Sequence, residues 1–152
     1  MGAKAVLSEA FRNEIAWDQI LTGIATGKQH WLALATDLYS VSDAGATEEL
    51  ESAVGEAIGN RPTEVLRFLK QGEIPSLVAR ERYFGLSVCQ GVDIDSNRYD
   101  SVKLAFAEIA KRKRALHKVT DPKLKDEKDA RIQALEDSKS GILRFYGKTE
   151  EN

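Results

Sequence analysis

The sequence predicts an all-α protein, a compact bundle of six to eight mostly antiparallel helices. Three observations point to this class. Glycine and proline are sparse, at 11 and 3 of 152 residues. Apolar side chains recur at three- and four-residue intervals through most of the chain. No stretch alternates apolar and polar residues as a half-buried strand would. With 42% hydrophobic residues, the chain has enough apolar material for one helical domain over residues 1–152, fraying over 149–152.

The first helix is expected over residues 8–24. Phe11, Ile15, Ile20, Leu21 and Ile24 fall near helical spacing, with Trp17 beside the stripe. Ser8 is placed to cap it, and Gly23 and Gly27 loosen its end. The second is expected over 29–39, where Trp31, Leu32, Leu34, Ala35 and Leu38 form a broad apolar face. Residues 41–45 read as a polar turn, with Asp43 or Thr47 as the cap of the next helix. That third helix covers 47–58 on Leu50, Ala53, Val54, Ala57 and Ile58, and Gly59-Asn60 terminates it. Pro62 suits the first turn of a short helix over 62–70, where its missing N–H costs nothing.

Pro75, Gly85 and Gly91 interrupt the next stretch, so short helices over 76–83 and 84–90 and a loop over 91–95 are expected. A longer helix follows over 98–119, with Tyr99, Val102, Leu104, Ala105, Phe106, Ile109 and Leu116 on its buried side. Asp121-Pro122 breaks it. The last helix spans 124–146 and packs through Ile132, Leu135, Ile142, Leu143 and Phe145.

Lysine and arginine number 22 against 24 acidic residues, a formal net charge of -2. The balance is uneven along the chain. Residues 1–60 carry three basic and nine acidic side chains, residues 61–102 six of each, and residues 103–152 thirteen and nine. An acidic first part can face a basic partner, or it can complement the basic last part within one fold. The run 111–114 is the strongest basic cluster. Four consecutive helical residues point around most of the circumference, however, and Glu108 is placed to pair with Arg112. Nucleic acid is therefore not the expected partner.

Little in the chain supports catalysis, and the expected protein is not an enzyme. Cys89 has apolar neighbours in sequence, and neither His30 nor His117 forms a motif with it. Neither histidine has a metal-ligand companion four residues on, so no metal site is expected. Asp93, Asp95 and Asn97 offer oxygen ligands, but the later glycine and terminal glutamate of a calcium-binding loop are missing. No glycine-rich loop cradles a phosphate, and no cofactor is expected. Glu48, Glu49, Glu51 and Glu56 read as an acidic surface on an amphipathic helix. No run of about 18 apolar residues predicts membrane insertion.

A second set of segments carries a family resemblance. Trp17-Asp18-Gln19-Ile20-Leu21, Ile24-Ala25-Thr26-Gly27 and Trp31-Leu32-Ala33-Leu34-Ala35 follow one another. Ser42-Asp43-Ala44-Gly45-Ala46, a helix near 50–58, Asn60-Arg61-Pro62-Thr63-Glu64-Val65-Leu66 and Ser87-Val88-Cys89 complete the series. This layout over residues 17–89 resembles small all-helical periplasmic proteins of proteobacteria and is similar to the Tai-like immunity proteins of type VI secretion. The resemblance implies an inhibitor that blocks the active-site groove of a cell-wall-degrading amidase toxin and carries no catalytic residues. It also implies a removed signal peptide, a periplasmic location and frequently a homodimer. Members usually have a second cysteine able to pair with the one matching Cys89, whereas this chain has one cysteine in all.

For such an inhibitor, the expected partner-binding residues are Tyr39, Ser42 and Asp43 in the loop over 39–46. Glu48 and Glu49 would steer a basic toxin electrostatically. The alternative is a cytoplasmic helical adaptor, a protein-interaction module with no catalytic activity. The native N-terminus discriminates the two, because a signal peptide favours the first.

Overall fold

The computed structural model describes the backbone of residues 2–71 and 94–146, and the side chains of 2–71 and 102–144. Among these residues there are seven α-helices and no strand. They are α1 (Ala3–Phe11), α2 (Glu14–Ala25), α3 (Gln29–Tyr39), α4 (Ala44–Asn60), α5 (Pro62–Lys70), α6 (Ile94–His117) and α7 (Lys125–Tyr146). A 3-10 turn, Pro122–Leu124, leads into α7. None of the described helices is long and apolar enough to cross a membrane.

The first expected helix is two. Its stripe continues across residue 13, but the backbone of Asn13 is extended, at φ -119° and ψ 97°. The Asn13 side chain accepts a hydrogen bond from the Ala16 N–H at 3.3 Å and caps α2, with Glu14 in the first turn. Asn13 N–H closes α1 by donating to the Ala10 carbonyl at 2.9 Å. Ser8 therefore lies within α1 rather than capping a helix. The break folds α1 back on α2, so that Phe11 meets the Trp17 ring edge to face at 5.3 Å.

The end of α2 turns on Gly27, whose φ of +71° is the left-handed conformation that side chains resist. Helices α3 and α5 keep the bounds their sequence patterns predict. Helix α4 is longer than expected at both ends. Asp43 caps it by accepting from the Ala46 N–H at 3.1 Å, and Thr47 falls inside its first turns. Gly59 and Asn60 continue the helix instead of ending it, and the Asn60 amide donates to the Ala25 carbonyl at 2.8 Å. Helix α6 begins one turn earlier than expected, so Ile94 and Asp95 are helical rather than in a loop. The expected helices over 76–83 and 84–90 lie outside the described residues.

Helix α4 is the central element. It packs against α2, α3, α5 and α6 and buries Leu50, Ala53, Val54, Ala57 and Ile58 around much of its girth. Small residues suit a helix surrounded in this way, because they let neighbouring backbones approach. Two anchors show that α2 and α4 run in the same direction. The N-terminal Trp17 bonds to Glu49, and the C-terminal carbonyl of Ala25 bonds to Asn60. By contrast, α6 and α7 form an antiparallel hairpin, with Lys113 bonded to Glu136 and Lys139 over the Phe106 ring.

One cluster of buried side chains draws on all seven helices. On α6 and the residues after it, the buried positions are Val102, Ala105, Ile109, Arg112, Leu116 and Val119. This alternation of three- and four-residue steps is the narrow seam of helices packed at small angles. Leu104 lies off the seam and is 61% exposed, contrary to its expected place in the core. On α7 the matching seam is Arg131, Leu135, Ser138 and Ile142.

Candidate binding groove

Helices α2 and α4 line an open groove of about 850 Å³ at the surface. Asp18, Leu21, Thr22 and Ala25 form one wall, with Thr26 just past the end of α2. Glu48, Glu49, Ser52, Ala53, Glu56 and Asn60 form the other, and Gly45 opens its N-terminal end. The spacing explains the walls. Residues 18, 22 and 25 share one face of α2, and residues 49, 52, 56 and 60 share one face of α4. Because the helices are parallel, both walls run in the same sense along the groove.

The floor is apolar and the rim is acidic. Leu21, Ala25 and Ala53 supply carbon surface, while Asp18, Glu48, Glu49 and Glu56 supply four carboxylates. No lysine, arginine or histidine among the described residues lines the groove. Four like charges over a low-dielectric floor focus a negative potential outward. The carboxylates are strung along the groove. Among the described residues, no three or more histidine, cysteine, aspartate or glutamate side chains gather to hold a metal ion.

Two hydrogen bonds brace its ends. The Trp17 indole N–H donates to Glu49 Oε2, and the Asn60 amide donates to the Ala25 carbonyl. Thr26 turns its hydroxyl back on the Gly23 carbonyl at 2.6 Å, closing the last turn of α2.

The structure divides the residues expected to bind a partner. Glu48 and Glu49 line the groove and are exposed. Tyr39 ends α3, and Ser42 and Asp43 lie in the turn between α3 and α4. There the Tyr39 hydroxyl donates to Glu51 Oε1 at 3.1 Å. The Ser42 hydroxyl donates to the Tyr39 carbonyl at 3.0 Å and lies 2.5 Å from the Thr47 hydroxyl. Asp43 is spent on the α4 cap. None of these three residues is among those lining the groove.

Glu51 departs from the expected acidic surface, because it is only 8% exposed. It points from α4 toward α3, where Tyr39 meets it. The basic run 111–114 distributes around α6 as its helical geometry predicts. Arg112 is buried at 1% and donates from Nε to Glu108 Oε1 at 3.1 Å, the expected pair. Lys113 reaches Glu136 and Arg114 is exposed. Both histidines are exposed, His30 lying tilted against the Trp31 ring. Cys89 and Asp93 lie outside the described residues, and Asp95 and Asn97 are in the first turn of α6.

Sequence reasoning missed the α2 wall. Asp18, Thr22 and Thr26 recur every four residues, a polar stripe visible in the sequence. What the sequence lacked was any sign that this stripe faces α4. No protein-family model, curated protein or solved structure matches the chain.

Proposed function

We propose that this protein is a non-catalytic binding module whose α2–α4 groove receives a basic surface of a partner protein. One observation carries the reading: four carboxylates line an apolar-floored groove with no cation among its described lining residues. Charge of one sign on a docking surface raises the encounter rate and selects partners of the opposite sign. In its narrower form the partner is a cell-wall-degrading amidase toxin and the module is its immunity protein, as the family resemblance implies. The groove's acidic rim suits a basic toxin surface.

Affinity capture of candidate basic partners, including amidase toxins, tests the proposal. The triple variant Asp18→Asn, Glu48→Gln, Glu56→Gln is the control. Capture by the native chain that weakens with salt and fails with the variant supports the groove. Equal capture by both proteins removes the groove from the binding surface. Capture of an amidase with inhibition of its hydrolysis supports the immunity role; binding without inhibition favours an adaptor.

A further inference from the structure

Helices α1 and α2 are separated by the backbone of one residue. Arg12 keeps a right-handed helical conformation, at φ -78° and ψ -14°, and α2 begins at Glu14. Asn13 alone is extended, at φ -119° and ψ 97°. A turn of its ψ to about -42°, with a smaller change in φ, would join the two into a single helix. Neither glycine nor proline occurs over residues 3–22 to oppose it. The buried side chains already share that register. Leu7, Ala10, Trp17 and Ile24 are buried, and steps of three and seven residues place them on one stripe of a continuous helix. The first-turn N–H groups of Glu14 and Ile15 have no acceptor within α2; a continuous helix would give them the carbonyls of Ala10 and Phe11.

Straightening has a cost that selects the partner. In the bent form α1 packs on α2 and α3, with Leu7 and Ala10 in the core and Phe11 against Trp17. A straight helix carries α1 away from this seat and leaves both surfaces in water. The segment that fits the vacated seat is another α1. We infer that Asn13 is a hinge through which two copies of this chain exchange α1. Each α1 occupies the other copy's seat on α2 and α3, and the contacts of the bent form are kept. Only the hinge changes: two Asn13 caps are lost and two helices become continuous. Monomer and exchanged dimer thus differ little in contacts, and protein concentration shifts the balance between them. The exchange is independent of what the α2–α4 groove binds.

Refolding the full-length chain at high concentration tests this, with mass read by size exclusion and light scattering. A dimer fraction is expected that separates slowly on dilution, because α1 must leave its seat. Asn13→Ala removes the cap and favours the continuous helix, so the dimer-to-monomer ratio should rise about tenfold. Asn13→Lys, a second helix former at this exposed position, should act in the same direction. Glu14→Pro should keep the chain monomeric. Proline suits the first position of α2 and holds Asn13 extended, but it disrupts a continuous helix. Dimers assembled from isotope-labelled and unlabelled chains should show the Phe11–Trp17 ring contact between copies by filtered NOE. Circular dichroism establishes that each variant is folded. Three results would each overturn the exchange: Asn13→Ala and Asn13→Lys that remain monomeric, a dimer that survives Glu14→Pro, or a Phe11–Trp17 contact confined within each copy.

Discussion

Gly55 on α4 makes room for the buried guanidinium of Arg112 on α6. A Cβ at residue 55 would lie 2.6 Å from Arg112 Nη1. The Arg112 side chain is 1% exposed, so it has little space into which to withdraw. Glycine in a helix interior ordinarily costs about 0.5–1 kcal/mol relative to alanine, and here that loss admits a charged side chain to the α4–α6 seam.

Gly55→Ala and Gly59→Ala should therefore differ in sign. Overpacking against Arg112 should make Gly55→Ala destabilising by about 1–3 kcal/mol. At residue 59 the nearest neighbour is the Lys111 chain at 3.1 Å, whose end can move toward solvent. Gly59→Ala should be neutral or gain up to about 1 kcal/mol from the restricted unfolded chain. Urea unfolding of the two variants reads the difference directly.

Trp17→Phe should destabilise the α2–α4 contact by about 1–2 kcal/mol, through the lost indole hydrogen bond and reduced packing. Glu49→Gln keeps an acceptor oxygen and should cost less than half as much. Thermal melts of both variants check the order; equal costs would locate the contribution in the charge rather than in the ring.

The seam on α6 predicts a contrast between two leucines. Leu116 is fully buried and Leu104 is 61% exposed. Leu116→Ala should cost about 2–5 kcal/mol, whereas Leu104→Ala should stay within about 0.5 kcal/mol of the native chain. Chemical denaturation midpoints would decide it.

Asp121 at the start of the 3-10 turn should titrate below the ordinary 3.8. The Lys123 N–H bonded to its carboxylate lowers it most; partial desolvation opposes this, and the Arg67 guanidinium at 3.4 Å adds to the lowering. A depressed carboxylate stabilises the fold above its unfolded pKa, and the contribution disappears as pH falls through the folded value. Lys125 and Asp129 shift in opposite directions because they pair across one helical turn at 2.5 Å. NMR titration of the Asp121 carboxyl should give the low midpoint, and Asp121→Asn should flatten the acid limb of stability.

Much of the helical layout was legible in the chain. The patterns over 29–39 and 62–70 define α3 and α5, because a clear apolar face and Pro62 leave few alternatives. Asn13 was a cap hidden inside a continuous stripe, since a side chain that caps a helix also tolerates its interior. The burial of Arg112 had a signal too. Its position continues the three-and-four spacing of Val102, Ala105, Ile109, Leu116 and Val119, but its charge argued for the surface.

By itself the sequence determined the all-α class, the main helices, the acidic first part and the Glu108–Arg112 pairing. Each depends on residues close in the chain, where helical periodicity and capping act. Only the tertiary structure decided that Asp18 and Thr22 line one groove with Glu49 and Glu56 and that Glu51 turns inward to Tyr39. Those relations depend on α2 and α4 packing in parallel with α3 between them in sequence. Local periodicity shows which face of a helix is apolar; packing against distant helices decides what each remaining face meets.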